Sequence, residues 1–394
     1  MSYPDNLADN DSLSLIKTLV GFDTVSRNSN LELIDWVREY LARHGVQSHL
    51  TYDSRRRKAN LFATLGPGTK GGLILSGHTD TVPVDGQSWT TPPFEAVISG
   101  ERLYGRGTAD MKGFIGVCLA VVPKILEADL REPVHLALTF DEETTMLGVR
   151  SLIADLQERK IAPSGCIIGE PTGMRAVIGH KGRRHIRCTV QGRAAHSSLP
   201  LEGVNAIEHA AKILLYLRGM AERHKEFESR HYGYAVPYST IQTTLIQGGL
   251  SANTVPSECS FDFEFRNLPW TDAGQLEAEV RAFAHDKVLG EMRKDFAECS
   301  ISFNTESVLP AFGSASEPEG LDTRISNLLT RMRRKDSSLS YVGFGTEASW
   351  FQDAGIPTVV CGPGSIEQAH KPDEYVCLDQ IAQCEEFLNG LLLG

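Results

Sequence analysis

Three features of the sequence predict an α/β fold: an open, largely parallel sheet with helices on both faces, plus an inserted, ferredoxin-like βαββαβ unit. Short apolar runs bounded by glycine and proline alternate with helical periodicity at both ends of the chain, as in a sheet covered on both sides. A middle segment, residues 182–307, changes to strand–helix–strand–strand–helix–strand order, a unit that can be inserted whole into another domain. Histidines and carboxylates recur just after the apolar runs, where open α/β sheets bind ligands.

The elements follow in order. Residues 11–20 and 31–44 carry apolar side chains at helical spacing, the second as Leu31, Ile34, Val37 and Leu41. Strands are predicted at 60–65, 72–77, 134–140, 166–169 and 358–361, with helices at 112–126, 148–160, 320–333 and 379–393. Within the insertion the strands are 184–190, 239–246, 258–266 and 299–304, and the helices 204–220 and 272–285. Residues 1–181 and 308–394 therefore form one domain and 182–307 a second, which suits a chain of 394 residues.

Composition narrows the function classes. With 41% hydrophobic and 23% charged residues the chain is an ordinary globular one. A formal net charge of −11 argues against nucleic acid or an anionic membrane as partner. The basic runs Arg55-Arg-Arg-Lys58 and 331–335 read as solvated faces in that setting. The apolar stretch 114–122 is too short to span a bilayer, and residues 1–11 lack the basic and apolar segments of a secretory signal. Eight cysteines without a CxxC pair read as small buried hydrophobes in a reducing cytoplasm.

The strand ends carry the chemistry. Strand 72–77 runs into His78-Thr-Asp80, and Leu103-Tyr-Gly-Arg-Gly-Thr-Ala-Asp110 delivers an acid just before a helix. Strand 134–140 ends in Asp141-Glu142-Glu143, strand 166–169 in Glu170-Pro171, and strand 358–361 leads to His370. Singly, each has a bland reading: a structural histidine, a helix N-cap, a solvated turn, a loop start. Five such segments together are an inventory of imidazole and carboxylate ligands for divalent metal. Two divalent ions balance Asp110, Glu143, Glu170 and one hydroxide, with His78 and His370 each capping one ion. Asp110, on its glycine-flanked turn, is the best bridging ligand, which leaves Glu142 as general base and Asp80 to orient the His78 imidazole.

The motifs Ser76-Gly-His78-Thr-Asp80-Thr-Val-Pro83, Tyr104-Gly-Arg-Gly-Thr-Ala-Asp110-Met-Lys-Gly113, Asp141-Glu142-Glu143, Glu170-Pro171, Gly192-Arg-Ala-Ala-His196-Ser and Ala369-His370-Lys-Pro-Asp-Glu374 occur in this order along nearly the whole chain. Together they resemble the co-catalytic zinc amidohydrolases related to aminoacylase, glutamate-releasing carboxypeptidase and succinyl-diaminopimelate desuccinylase. The resemblance implies His78, Asp110 and Glu170 on one metal and Asp110, Glu143 and His370 on the other. It also implies Glu142 as base and a cis peptide after Asp110. His196 is implied to donate to the scissile carbonyl oxygen across a dimer interface, and Asn253 and Arg266 to bind polar and carboxylate parts of the substrate.

Within that family, Ile168-Gly-Glu-Pro-Thr172, Gly179-His-Lys-Gly182 and Gly345-Thr346-Glu347-Ala-Ser are similar to the acetylornithine deacetylases. Thr346 and Glu347 are expected substrate-binding residues, Glu347 meeting the substrate's cationic end or, alternatively, opening a helix at Ala348. The expected activity is thus hydrolysis of an N-acetyl amino acid, N-acetylornithine in arginine biosynthesis, by a cytoplasmic homodimer with two zinc ions or, alternatively, cobalt. Acetylcitrulline, another N-acyl amino acid, succinyl-diaminopimelate or a dipeptide are the alternative substrates. A catalytically silent metal-binding scaffold is the non-enzyme alternative; it would have no need of Glu142.

Overall fold

The computed structural model describes residues 11–68, 70–313, 323–332 and 339–393. The chain divides into two units, Met1–Ile178 with Leu321–Ser340 and Thr346–Gly394, and Gly179–Gly320 with Tyr341–Gly345. The strand expected at 299–304 continues to Leu309, and Phe312 then exchanges two backbone hydrogen bonds with His180. The second unit therefore closes beyond the expected 307.

The first unit is built on an eight-stranded sheet in the order Ser48–Tyr52, Ala59–Leu65, Val134–Thr139, Leu73–His78, Gly165–Pro171, Thr358–Gly362, Val177–His180, Ser340–Val342. The four strands from Val134–Thr139 to Thr358–Gly362 run parallel. Every residue in these four is buried, the signature of a sheet covered on both faces. Ala59–Leu65 pairs antiparallel to Ser48–Tyr52 and Val134–Thr139, and Val177–His180 antiparallel to Thr358–Gly362. Ser48–Tyr52 escapes sequence reading because its residues are half-exposed and mostly polar, with no apolar run.

The helix Lys112–Ala120 is buried on all sides, which its unbroken apolar sequence requires. It lies so close to its neighbours that a Cβ at Gly116 would overlap Ile16, and one at Gly169 the Phe114 ring. The single helix expected over 112–126 is two helices, broken at Val121; Pro123 sits in the first turn of Val122–Glu127, where its missing N–H is harmless. The helix expected at 320–333 is Thr323–Arg331, with Met332 in a turn, and 320–322 and 333 lie outside the described residues. A small antiparallel sheet of Val97–Ser99, Arg102–Tyr104 and Tyr375–Cys377 joins the chain before Asp110 to the chain after His370.

The second unit is a four-stranded antiparallel sheet, ordered Thr240–Gly248, Glu258–Arg266, Arg183–Gln191, Ser300–Leu309. Alternation along the Glu258–Arg266 strand turns Phe261, Phe263 and Phe265 into one core with Ile213, Leu217 and Met220 of the helix Ala206–Phe227. That helix starts where the Asn205 side chain accepts from Ile207 N and Glu208 N. The helix expected at 272–285 is Ala273–Phe283, which passes through a π-helical turn, Ala284–Leu289, into Gly290–Asp295. Among the described residues, no helix is long and apolar enough to cross a membrane.

Candidate metal centre

Five side chains from separate segments of the first unit converge. His78 ends the buried Leu73–His78 strand; its Nε2 lies 2.9 Å from Asp110 Oδ1 and 3.9 Å from Glu170 Oε1. His370, in a left-handed backbone conformation at φ 64°, brings its Nε2 to 3.3 Å from Asp110 Oδ2 and 3.0 Å from Glu143 Oε2. Two sets result, His78–Asp110–Glu170 and Asp110–Glu143–His370, each with its ligand atoms within 4.8 Å of one another. The shared member is Asp110, and the peptide bond that follows it is cis.

Asp80 has a different partner from the one its position suggests. The His78 Nδ1 is 3.0 Å from the main-chain oxygen of Asp80 but 3.6 Å from its carboxylate. The main chain, not the carboxylate, orients this imidazole. The Asp80 carboxylate instead accepts from Glu142 N at 3.1 Å, Glu143 N at 3.3 Å and Ser26 Oγ at 2.6 Å. It thereby holds the turn that presents the two glutamates. Asp141, at φ 59°, opens that turn, and its side chain is fixed by the Lys58 ammonium, which also donates to Ser26 O. Lys58 is thus no solvated residue, as expected from the basic run, but a largely buried partner of the turn.

Electrostatics set these acids apart. Burial, followed by the charge of Glu170, pushes the Glu142 carboxyl well above the usual carboxylate range. Burial and the charge of Asp110 push Glu170 well above that range too and raise Glu143. Asp110 is the exception: burial opposes its ionisation, but hydrogen bonds from His370 and His78 hold it well below the usual range. His370 is pushed up to about 10 by its hydrogen bonds to Asp110 and Glu143. Glu170 Oε1 is buried without a hydrogen-bond partner.

The remaining expected residues are less uniform. Glu347 is buried, with Thr139 Oγ1 donating to one oxygen at 3.0 Å and the other oxygen without a partner; burial pushes its carboxyl up to about 7. The Thr346 hydroxyl accepts from Ala348 N at 3.1 Å and so opens the helix Ala348–Asp353. His196, Asn253 and Arg266 belong to the second unit. His196 is exposed, with its Nδ1 2.7 Å from Ser198 Oγ, and its loop meets that of Asn253 through Ser197 N, which donates to Asn253 O. Arg266 is engaged by Glu264, which also accepts from Arg183.

Sequence reading overlooked Ser26, Lys58, Arg106 and Glu374 around the centre. Arg106 and Glu374 stand inside quoted motifs, but they pair across 268 positions, which no local pattern reveals.

The family model described as Peptidase family M20/M25/M40 matches residues 74–394, so the chain belongs to that family and is a metal-dependent hydrolase. Among curated relatives, an acetylornithine deacetylase of Aliivibrio fischeri is 33% identical over 393 residues, covering 100% of this chain and 99% of the relative. One of Pasteurella multocida is 34% identical, covering 95% and 94%. Among solved structures, the M20 family metallo-carboxypeptidase Sso-CP2 from Sulfolobus solfataricus shares the fold with a TM-score of 0.72 at 18% identity, covering 97% of this chain and 98% of that one. A Bacillus subtilis protein described as a dinuclear metal binding peptidase from the M20 family does so with a TM-score of 0.65 at 14% identity, covering 97% of each chain.

Proposed function

We propose that the chain hydrolyses the amide of an N-acetyl amino acid, with N-acetylornithine the preferred substrate and ornithine and acetate the products. The observation that carries this reading is the pair of ligand sets sharing Asp110, with the protonatable Glu142 among them. The acetylornithine deacetylase relatives at 33–34% identity support the choice of substrate.

The donor set fits two divalent ions. The two ligand sets bring three acids together with two imidazoles and no lysine or arginine, Glu142 lies beside them, and Glu170 Oε1 is buried with an unused lone pair, so cations are needed to offset the burial of charge. The mixture of imidazole nitrogen and carboxylate oxygen suits zinc, with cobalt the alternative. His78, Asp110 and Glu170 would hold one ion and Asp110, Glu143 and His370 the other. When bound, such ions polarise a carbonyl and lower the pKa of water.

The chain's own groups then divide the work. Glu142 takes a proton from the attacking water and returns it to the leaving amine nitrogen, a role suited to a carboxyl whose pKa is raised by burial. Asp80 fixes the main chain of Glu142 and Glu143, so that base and ligand keep distinct positions. The buried Glu347 receives the cationic end of the substrate through its unpartnered oxygen, and Thr346 holds the helix start beside it. His196 of a second copy donates to the developing oxyanion, with Asn253 beside it and Arg266 facing the substrate carboxylate. This arrangement makes the working enzyme a homodimer, and the eight free cysteines suit a reducing cytoplasm.

The test is acetylornithine hydrolysis by the purified chain with and without a chelator, beside acetylcitrulline, acetylglutamate, acetylmethionine, succinyl-diaminopimelate and a dipeptide. Chelator-sensitive turnover highest on acetylornithine is the expected result. Turnover highest on the dipeptide would instead make the chain a peptidase. Metal uptake without turnover on any of the panel would leave a scaffold.

A further inference from the structure

The segment that delivers Asp110 is a run of turns, residues 105–111, belonging to neither helix nor strand. One side chain from the other end of the sequence gathers it. Glu374 Oε2 accepts from Arg106 Nη1 at 2.7 Å and Gly107 N at 3.0 Å, and Oε1 accepts from Ala109 N at 2.9 Å and Asp110 N at 3.1 Å. Its own main-chain oxygen takes Gly105 N at 2.9 Å. Both Glu374 and Arg106 are 1% exposed.

The same pair reaches the segment that carries His370. Arg106 donates to Lys371 O at 3.3 Å and, through Nη2, to Gln87 Oε1 at 2.7 Å, while Gln87 Nε2 donates to His370 O at 3.0 Å. Asp373 accepts from Thr90 N at 2.8 Å and so ties the segment down again. Asp110 and His370, two members of one ligand set, are thus joined through a single buried ion pair.

We propose that Glu374, held by Arg106, is a positioning residue that sets the spacing of Asp110 and His370 and hence the affinity of the Asp110–Glu143–His370 set for its metal ion. The inference rests on the two-metal reading above. Only a carboxylate can serve here: four donors converge on it, and an amide in its place would turn an NH₂ towards at least one pair of them. A purely structural ion pair would affect folding stability but would not single out one ion.

The experiment uses the full chain, stripped of metal and titrated with Co²⁺, reading bound ions per chain, the visible absorption bands and the melting temperature. Wild type should bind two ions. Glu374→Gln should bind the ion of the Asp110–Glu143–His370 set about 10–100-fold more weakly, the usual effect of losing a partner that orients ligands, and the ion of the set that shares only Asp110 less so. Its visible bands should change, and saturating Co²⁺ should restore turnover. Glu374→Asp, which keeps the charge on a shorter stem, carries the same test should the glutamine variant not fold, and is expected to weaken the same ion. Two ions bound with wild-type affinity and spectrum by the folded variant overturn the inference while leaving the two-metal reading standing. A wild-type chain that takes up fewer than two ions overturns that reading, and this inference with it.

Discussion

Buried acids are treated in opposite ways by the two units. Among the described residues of the second unit each one has a guanidinium: Asp262, 3% exposed, accepts from Arg187 at 2.7 and 3.0 Å, and Glu277, 4% exposed, pairs with Arg184 and with Arg281 at 2.7 Å. For Asp262 the Arg187 hydrogen bond leads, and for Glu277 the arginine bonds outweigh burial, so both carboxyls are held below their usual range. In the first unit Glu374 also has a guanidinium, that of Arg106, yet burial still pushes its carboxyl above the usual range. Glu142, Glu143 and Glu170 have no guanidinium beside them among the described residues, and burial pushes all three up. Acids that share a buried site without a fixed cation are costly, and their persistence marks a place where a mobile cation belongs.

The largest effect that would break this comparison is on turnover. Glu142→Ala should keep close to two metal ions per chain and lose about 10²–10⁴-fold in kcat, as expected for a general base. Glu143→Ala should bind metal poorly. Metal analysis giving the reverse pattern would exchange the two roles, although Asp80 holds both main-chain amides alike.

A second test concerns what the exposed side of the second unit contributes. His196→Ala and Glu142→Ala chains should each be nearly inactive alone. Mixed and allowed to exchange, half of the dimers become heterodimers with one intact site each, so activity should recover to about a quarter of wild type by symmetry. Exchanged mixtures that stay inactive with normal metal content would confine His196 to its own subunit or remove it from catalysis.

Glu347 sharpens the contrast, being a buried acid with neither guanidinium nor a place in a ligand set. Its folded-state pKa lies at about 7, above the ordinary 4.5, so its contribution to stability is fully present below pH 4.5 and lost as pH rises through 7. Glu347→Gln should therefore gain on wild type by on the order of 1–3 kcal/mol between pH 4.5 and 8, measured by denaturant unfolding across that range. The same variant should raise KM for acetylornithine and leave neutral side chains nearly unaffected. An equal loss on every substrate would make Glu347 structural.

The smallest effect belongs to the paired acids. Glu277→Gln should cost about 1–3 kcal/mol of stability while leaving metal content unchanged, because its partners are all in the second unit. A change in metal uptake would contradict the separation drawn here.

The buried parallel strands were legible in the sequence because a strand covered on both faces must be apolar throughout, and the residue after its end is then the first free to be polar. Glu142 and Glu143 stand at such a place, His78 and Glu170 in the last two positions of their own buried strands, and Asp110 and His370 on glycine-bearing segments nearby. Local sequence also determined the insertion's βαββαβ order, through its change of periodicity. What needed the tertiary structure were partnerships between groups far apart in the chain: Glu374 with the Asp110 turn, Lys58 with Asp141, and the Asp80 carboxylate with the amides of Glu142 and Glu143 rather than with His78. A side chain's type reports what it can bond to. Which donors the folded backbone leaves unsatisfied within its reach depends on how distant segments pack, and that information is absent from any local window.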